Sequence, residues 1–154
     1  IGLMGGAGAI PMNPELLELA EKGDPKAVDL MMDWAHGPSG HFGGHPVPGL
    51  HHMNLGGSIV VNGSVKNALG VDFRACDNYK NGFEAAKKIK CPTLNILGDR
   101  DRMCPVKEGK KLADNIEGSQ VEIIENCGHM ILLEEAGKSL EILKKFIRKN
   151  HPTE

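Results

Sequence analysis

Gly98-Asp99-Arg100-Asp101-Arg102-Met103-Cys104-Pro105 and Asn126-Cys127-Gly128-His129-Met130 decide the fold, because each follows an apolar run that reads as a strand. The runs are Thr93-Leu94-Asn95-Ile96-Leu97 and Val121-Glu122-Ile123-Ile124-Glu125, and a helical pattern lies between them from Val106 to Asn115. Strand, helix and strand in that order form one β-α-β crossover with parallel strands. Such strands carry both of their C-terminal loops on one edge of the sheet, where open α/β folds gather their sites. The spacing therefore predicts that Asp101 and His129 meet in space.

A carboxylate that accepts the Nδ1–H of an imidazole fixes its tautomer and steadies the imidazolium formed when Nε2 takes a proton. That is the orienting half of a catalytic triad, and it needs a nucleophile. An Asp-rich turn alone is an ordinary turn, and a Gly-His alone an ordinary loop; the signal is their placement at the ends of two strands bracketing one helix.

The stretch from Ile89 through Cys91-Pro92 to Pro105 resembles the acid strand and loop of the α/β-hydrolase family, and Gly128-His129-Met130-Ile131-Leu132-Leu133-Glu134 resembles its histidine loop. The resemblance runs from Ile89 to Phe146 and is loose before Lys80. It implies an α/β fold, the C-terminal part of a hydrolase, with parallel strands, flanking helices and a helical lid insertion. It also implies that Asp101 is the triad acid and His129 the base. Asp99 competes, but the family's Gly-x-x-Asp-x-x-x-Pro spacing runs from Gly98 through Asp101 to Pro105.

The family's nucleophile sits on an earlier Gly-x-Ser-x-Gly elbow, and no such segment exists here. Ser39 in Gly37-Pro38-Ser39-Gly40-His41 comes nearest, with His41 in place of the last glycine; Ser58, Ser64 and Ser119 also fail. The chain opens at Ile1 inside an apolar run, without an initiator Met. The expectation is a fragment of a longer hydrolase whose serine and oxyanion hole lie upstream, the fragment alone being inactive.

The sequence has 154 residues, one domain's worth, with 18 Lys+Arg against 20 Asp+Glu and a net charge of −2. That balance gives no electrostatic case for nucleic acid or an acidic membrane, and 4% aromatics argue against base stacking. No apolar stretch approaches a membrane span. Four cysteines without Cys-x-x-Cys spacing suit a reducing cytoplasm. No cofactor is expected: Gly6-x-Gly8 lacks the third glycine of a dinucleotide fingerprint, Pro11 standing in its place.

Residues 1–10 read as the end of a core strand and its exit turn, 11–79 as a helical lid with a His/Gly-rich loop, and 80–154 as the C-terminal core with two βα units. In the lid, Asn13 and Pro14 open a helix that Gly23 closes, and Asp24 and Pro25 open a second, Lys26 to His36, that Gly37 closes. Ala27, Val28, Met31, Trp34 and Ala35 form an apolar stripe on it. With Met130 of the histidine loop, Met31 and Trp34 are the candidate substrate contacts.

His36, His41, His45, His51 and His52 invite a metal reading, but without Cys or nearby carboxylates no metal site is assigned, and the stretch reads as a lid loop. Zn²⁺ or Ni²⁺ uptake lost on replacing His41 and His45 would reverse that. Asp72, Arg74 and Tyr79 read as structural, the lesser alternative being that Tyr79 or Phe73 touches substrate. The terminal helix, Ala136 to Lys149, presents Leu140, Leu143, Phe146 and Ile147 on one side.

The leading function is hydrolysis of an ester, thioester or lactone by a serine hydrolase with Asp101 and His129 in its triad. The partner is then a small molecule with an acyl or ester group, and the oligomeric state is open. The alternative is a non-catalytic module of the same fold that binds a ligand or partner. Epoxide or haloalkane opening, which the scaffold also supports, needs Asp at the elbow.

Overall fold

Apolar runs hemmed by Cys91-Pro92 and by Asp99 build the central strand of a three-stranded parallel sheet in this computed structural model, which describes residues 1–41, 57, 60 and 67–151. The strands are β1 (Gly2–Met4), β2 (Leu94–Gly98) and β3 (Gln120–Ile124), side by side in that order. Leu94 stands opposite both Gly2 and Gln120, and Ile96 opposite Met4 and Glu122. Every residue of β2 is buried, as expected of a parallel strand covered on both faces.

The helices are α1 (Pro14–Lys22), α2 (Lys26–Ala35), α3 (Pro38–His41), α4 (Ala68–Asn78), α5 (Gly82–Ala86), α6 (Val106–Ala113), α7 (Ile131–Glu134) and α8 (Ala136–Asn150). On one side of the sheet Leu94, Ile96, Ile124, Cys127 and Ile131 form a core against Ile142, Leu143 and Phe146 of α8. On the other, Leu112 and Ile116 pack with Ala86, Leu3 and Ile89. α1, α2 and α4 share a third cluster around Leu16, Leu17, Ala20, Ala27 and Phe73. Arg74 pairs with Glu21, tying α4 to α1, and Asp77 accepts the Met12 N–H at 3.0 Å.

Asn13 caps α1 by accepting the Leu16 N–H at 3.1 Å, and Gly23, at φ +69°, ends it. Asp24 accepts the Lys26 N–H at the start of α2. The close of α2 departs from the sequence reading. The helix stops at Ala35, and His36 is extended and buried, its Nδ1 2.9 Å from the Met32 carbonyl. The Ala35 carbonyl is instead taken by the N–H groups of His129 and Met130, at 2.8 and 3.1 Å. The helix ends one residue early, and its last carbonyl holds the histidine loop.

The α2 stripe packs as read, with Met31 and Trp34 against the α1–α2–α4 cluster, and Met32 is buried as well. The α8 face differs. On α8 the inward side chains are Ser139, Ile142, Leu143 and Phe146, while Leu140 and Ile147 are 51% and 53% exposed. The apolar residues of α8 occupy two adjacent stripes, and only one meets the sheet. The histidine-rich stretch from residue 42 to 56, with His45, His51 and His52, lies outside the described residues, as do Ser58 and Ser64.

Candidate active site

The β2–α6 and β3–α7 loops leave the same edge of the sheet and bond to each other. Asp99 N–H donates to the Ile124 carbonyl and Arg100 N–H to the Cys127 carbonyl, at 3.0 and 2.9 Å. Gly98 is where they touch: a Cβ there would collide with the Cys127 and Gly128 carbonyls. Asn126 turns the histidine loop with φ +58°, a left-handed conformation that asparagine tolerates.

This geometry brings His129 Nδ1 to 2.8 Å from Asp101 Oδ2. The Asp101 side chain is fully buried, and its other oxygen accepts the N–H groups of Met103 and Cys104, at 2.8 and 2.7 Å. Both carboxylate oxygens are thus fixed. The imidazole donates from Nδ1, and Nε2 makes no hydrogen bond among the described residues. The ring is 27% exposed. Asp99, the rival acid, faces elsewhere, its Oδ2 3.7 Å from Arg100 Nε and its Oδ1 at 3.4 Å from Cys127 N.

β1 completes the support from behind. Gly5 has φ +56°, and a Cβ on it would lie 2.8 Å from His129 Nδ1 and 3.3 Å from Asp101 Oδ2. Only glycine accommodates both that backbone and that approach. Next to it, the Cys104 thiol lies 3.1 Å from the Gly6 carbonyl, fastening the acid loop to the β1 turn. Burial, with Asp101 and Glu108 nearby, pushes that thiol up to about 12. Cys127 is raised to about 12 by burial and by Glu134, Glu135 and Asp101. Both are inert thiols.

His129 borders a cavity of about 610 Å³ whose walls include Met12, Leu16, Trp34, Phe73 and Met103. Arg102 stands at its rim, 3.1 Å from Asp33 of α2, and also lines a second cavity of about 470 Å³ with Asp101. Of the three candidate substrate contacts, Trp34 lines the apolar cavity. Met31 packs into the α1–α2–α4 cluster, and neither it nor Met130 is part of the cavity wall. Phe73 is in the wall, while Tyr79 lines a smaller neighbouring cavity with Cys76.

Among the described residues no three His, Cys, Asp or Glu side chains gather as metal ligands would. His41 turns Nδ1 to Asp33 at 3.5 Å and Nε2 to the Asp33 and His36 carbonyls, both at 3.2 Å. Two of the described serines are engaged elsewhere: Ser119 accepts from Asn95 Nδ2, and Ser139 is buried, its hydroxyl donating to the Glu135 carbonyl. Among the described residues no helix is long and apolar enough to cross a membrane.

The family model "Serine hydrolase (FSH1)" matches residues 51–131, more than half of the chain. Monoacylglycerol lipase ABHD6 of Bos taurus is 40% identical over 67 residues, which are 44% of this chain and 20% of that protein. A proline iminopeptidase of Lactobacillus crispatus (strain ST1) is 38% identical over 64 residues, 42% of this chain and 22% of that one. The matched stretch is thus about a fifth of the length of these curated relatives. A thermophilic esterase superposes with a TM-score of 0.76 at 27% identity, over 97% of this chain and 56% of the esterase. An enol-lactonase from Burkholderia xenovorans LB400 superposes with a TM-score of 0.78 at 20% identity, over 95% of this chain and 55% of that one, a likeness of fold. With the parallel sheet and the family match in agreement, the chain belongs to the serine hydrolase (FSH1) family and has the α/β-hydrolase fold.

Proposed function

We propose that this chain carries the acid and the base of a serine hydrolase that cleaves carboxylic esters, thioesters or lactones, with Asp101 orienting His129. The observation that carries the reading is the 2.8 Å contact between Asp101 Oδ2 and His129 Nδ1 beside an apolar cavity. With Nδ1 committed to the buried carboxylate, Nε2 is the base. It takes the hydroxyl proton of a serine as that oxygen attacks the acyl carbon, then returns it to the leaving alkoxide or thiolate.

None of the serines in the sequence lies in a Gly-x-Ser-x-Gly elbow, so we place the nucleophile outside these 154 residues, together with the oxyanion donors. The superposed esterase, of which this chain matches 56%, leaves room for such a segment. These residues without that segment should not turn over substrate. α1, α2 and α4 then act as the lid, and the cavity they form over His129 takes the acyl chain. Its walls are mostly apolar side chains, among them Met12, Leu16, Trp34 and Phe73, with Asn13 and Arg102 also in the lining, which suits a largely hydrocarbon group.

The test is hydrolysis of p-nitrophenyl esters, from acetate to laurate, by the complete open reading frame that encodes these residues. Turnover that rises with chain length until the cavity is filled is the expected result. No turnover of any ester, with an intact fold, would favour the non-catalytic binding module.

A further inference from the structure

We propose that Glu134 is a positioning residue for the base, clamping the histidine loop to the exit of α2. The proposal rests on the reading of His129 as the base. Glu134 Oε2 accepts two backbone N–H groups from segments far apart in sequence, Gly37 at 2.8 Å and Gly128 at 3.0 Å. The next two N–H groups of the histidine loop, His129 and Met130, both donate to the Ala35 carbonyl. Three consecutive N–H groups, those of Gly128, His129 and Met130, are therefore held by two acceptors.

The junction is built for this approach. A Cβ on Gly37 would lie 2.8 Å from Glu134 Oε2 and 2.8 Å from Gly128 N, and one on Gly128 would lie 2.7 Å from Glu134 Oε1 and collide with Gly37 N. Two glycines let two backbones meet around one carboxylate. An ionised acceptor makes the stronger hydrogen bond to each N–H. The peptide plane of Gly128 sets the direction in which the His129 Cα leaves the loop, and the ring must keep its 2.8 Å contact with Asp101 from there. Because Ala35 and Gly37 flank the end of α2, displacement of α2 reaches the base through the same bonds.

The experiment reads the tautomer of the His129 ring in the complete protein encoded by the open reading frame by long-range ¹H–¹⁵N correlation. The wild type is expected to hold a single tautomer, protonated on Nδ1, and Asp101→Asn to lose it. Glu134→Ala should leave a mixture of tautomers while the amide signals of β2 and β3 stay in place. Glu134→Gln should restore the single tautomer, since the amide oxygen still accepts both N–H groups. If Glu134→Ala does not fold, Glu134→Asp answers instead: its carboxylate is one methylene too short to reach both donors, and a mixture is again expected. A fixed Nδ1–H tautomer in wild type that persists in the Ala and Asp variants overturns the role of Glu134 alone. A wild type without a fixed tautomer overturns the dyad reading and this proposal with it.

Discussion

Asp101 and His129 share a hydrogen bond of 2.8 Å in which the carboxylate is not free to turn, because the second oxygen of Asp101 is tied to the Met103 and Cys104 N–H groups. A carboxylate held at both oxygens selects one imidazole tautomer. In the complete protein, Asp101→Asn should lower kcat by about 10⁴-fold, the scale seen when an orienting acid is replaced in such a triad. Asp99→Asn should stay within a few-fold of wild type. Ester hydrolysis measured side by side checks both, and equal losses would return Asp99 to contention.

Gly5 stands against the back of the dyad at φ +56°. Gly5→Ala should destabilise the fold by about 1–2 kcal/mol from the left-handed backbone alone. It should also push the imidazole off Asp101, since the new methyl would sit 2.8 Å from Nδ1. Activity should fall far more than thermal stability. Urea unfolding and ester hydrolysis on the same samples separate the two effects.

The acid and histidine loops were legible because their strands are apolar runs bounded by Gly, Asp and Pro, and because β-α-β connectivity fixes which edge they share. Helices α1 and α2 were legible from their Asn13-Pro14 and Asp24-Pro25 starts. What the sequence withheld depends on distant partners. Gly5 was visible only as a turn glycine; its closeness to His129 exists only once β1 lies beside β2. Glu134 was one acid among several at a helix end, and nothing local names Gly37 as its partner. Met32 is buried beside the stripe that Met31 belongs to, and on α8 Ile142 rather than Leu140 meets the sheet, both settled by tertiary packing.

The sequence contains a single tryptophan, Trp34, and it lines the apolar cavity. Its fluorescence should change on adding a saturated fatty acid or a non-hydrolysable ester, with saturation. Trp34→Ala should lower kcat/KM for laurate esters more than for acetate esters, by about 1–3 kcal/mol of apolar contact. Equal losses for both would place the acyl chain elsewhere.

Cys76 and Cys91 are exposed, whereas Cys104 and Cys127 are buried with thiols raised to about 12. Iodoacetamide at pH 8 should modify the first two in the native protein and all four in urea. The raised thiols also give stability a pH dependence. Above pH about 9 the unfolded chain releases protons that the folded state keeps, so stability is full below that pH and falls as pH climbs toward 12. Denaturant midpoints measured from pH 7 to 11 check the direction, and Cys104→Ser should flatten the slope.

The most direct measurement is labelling of the complete open reading frame with a fluorophosphonate probe, followed by mass spectrometry of the modified peptide. The account predicts one labelled serine outside residues 1–154, with labelling abolished in His129→Ala and sharply slowed in Asp101→Asn. Labelling that is as fast in His129→Ala as in wild type, or no labelling of a folded wild type, would contradict it.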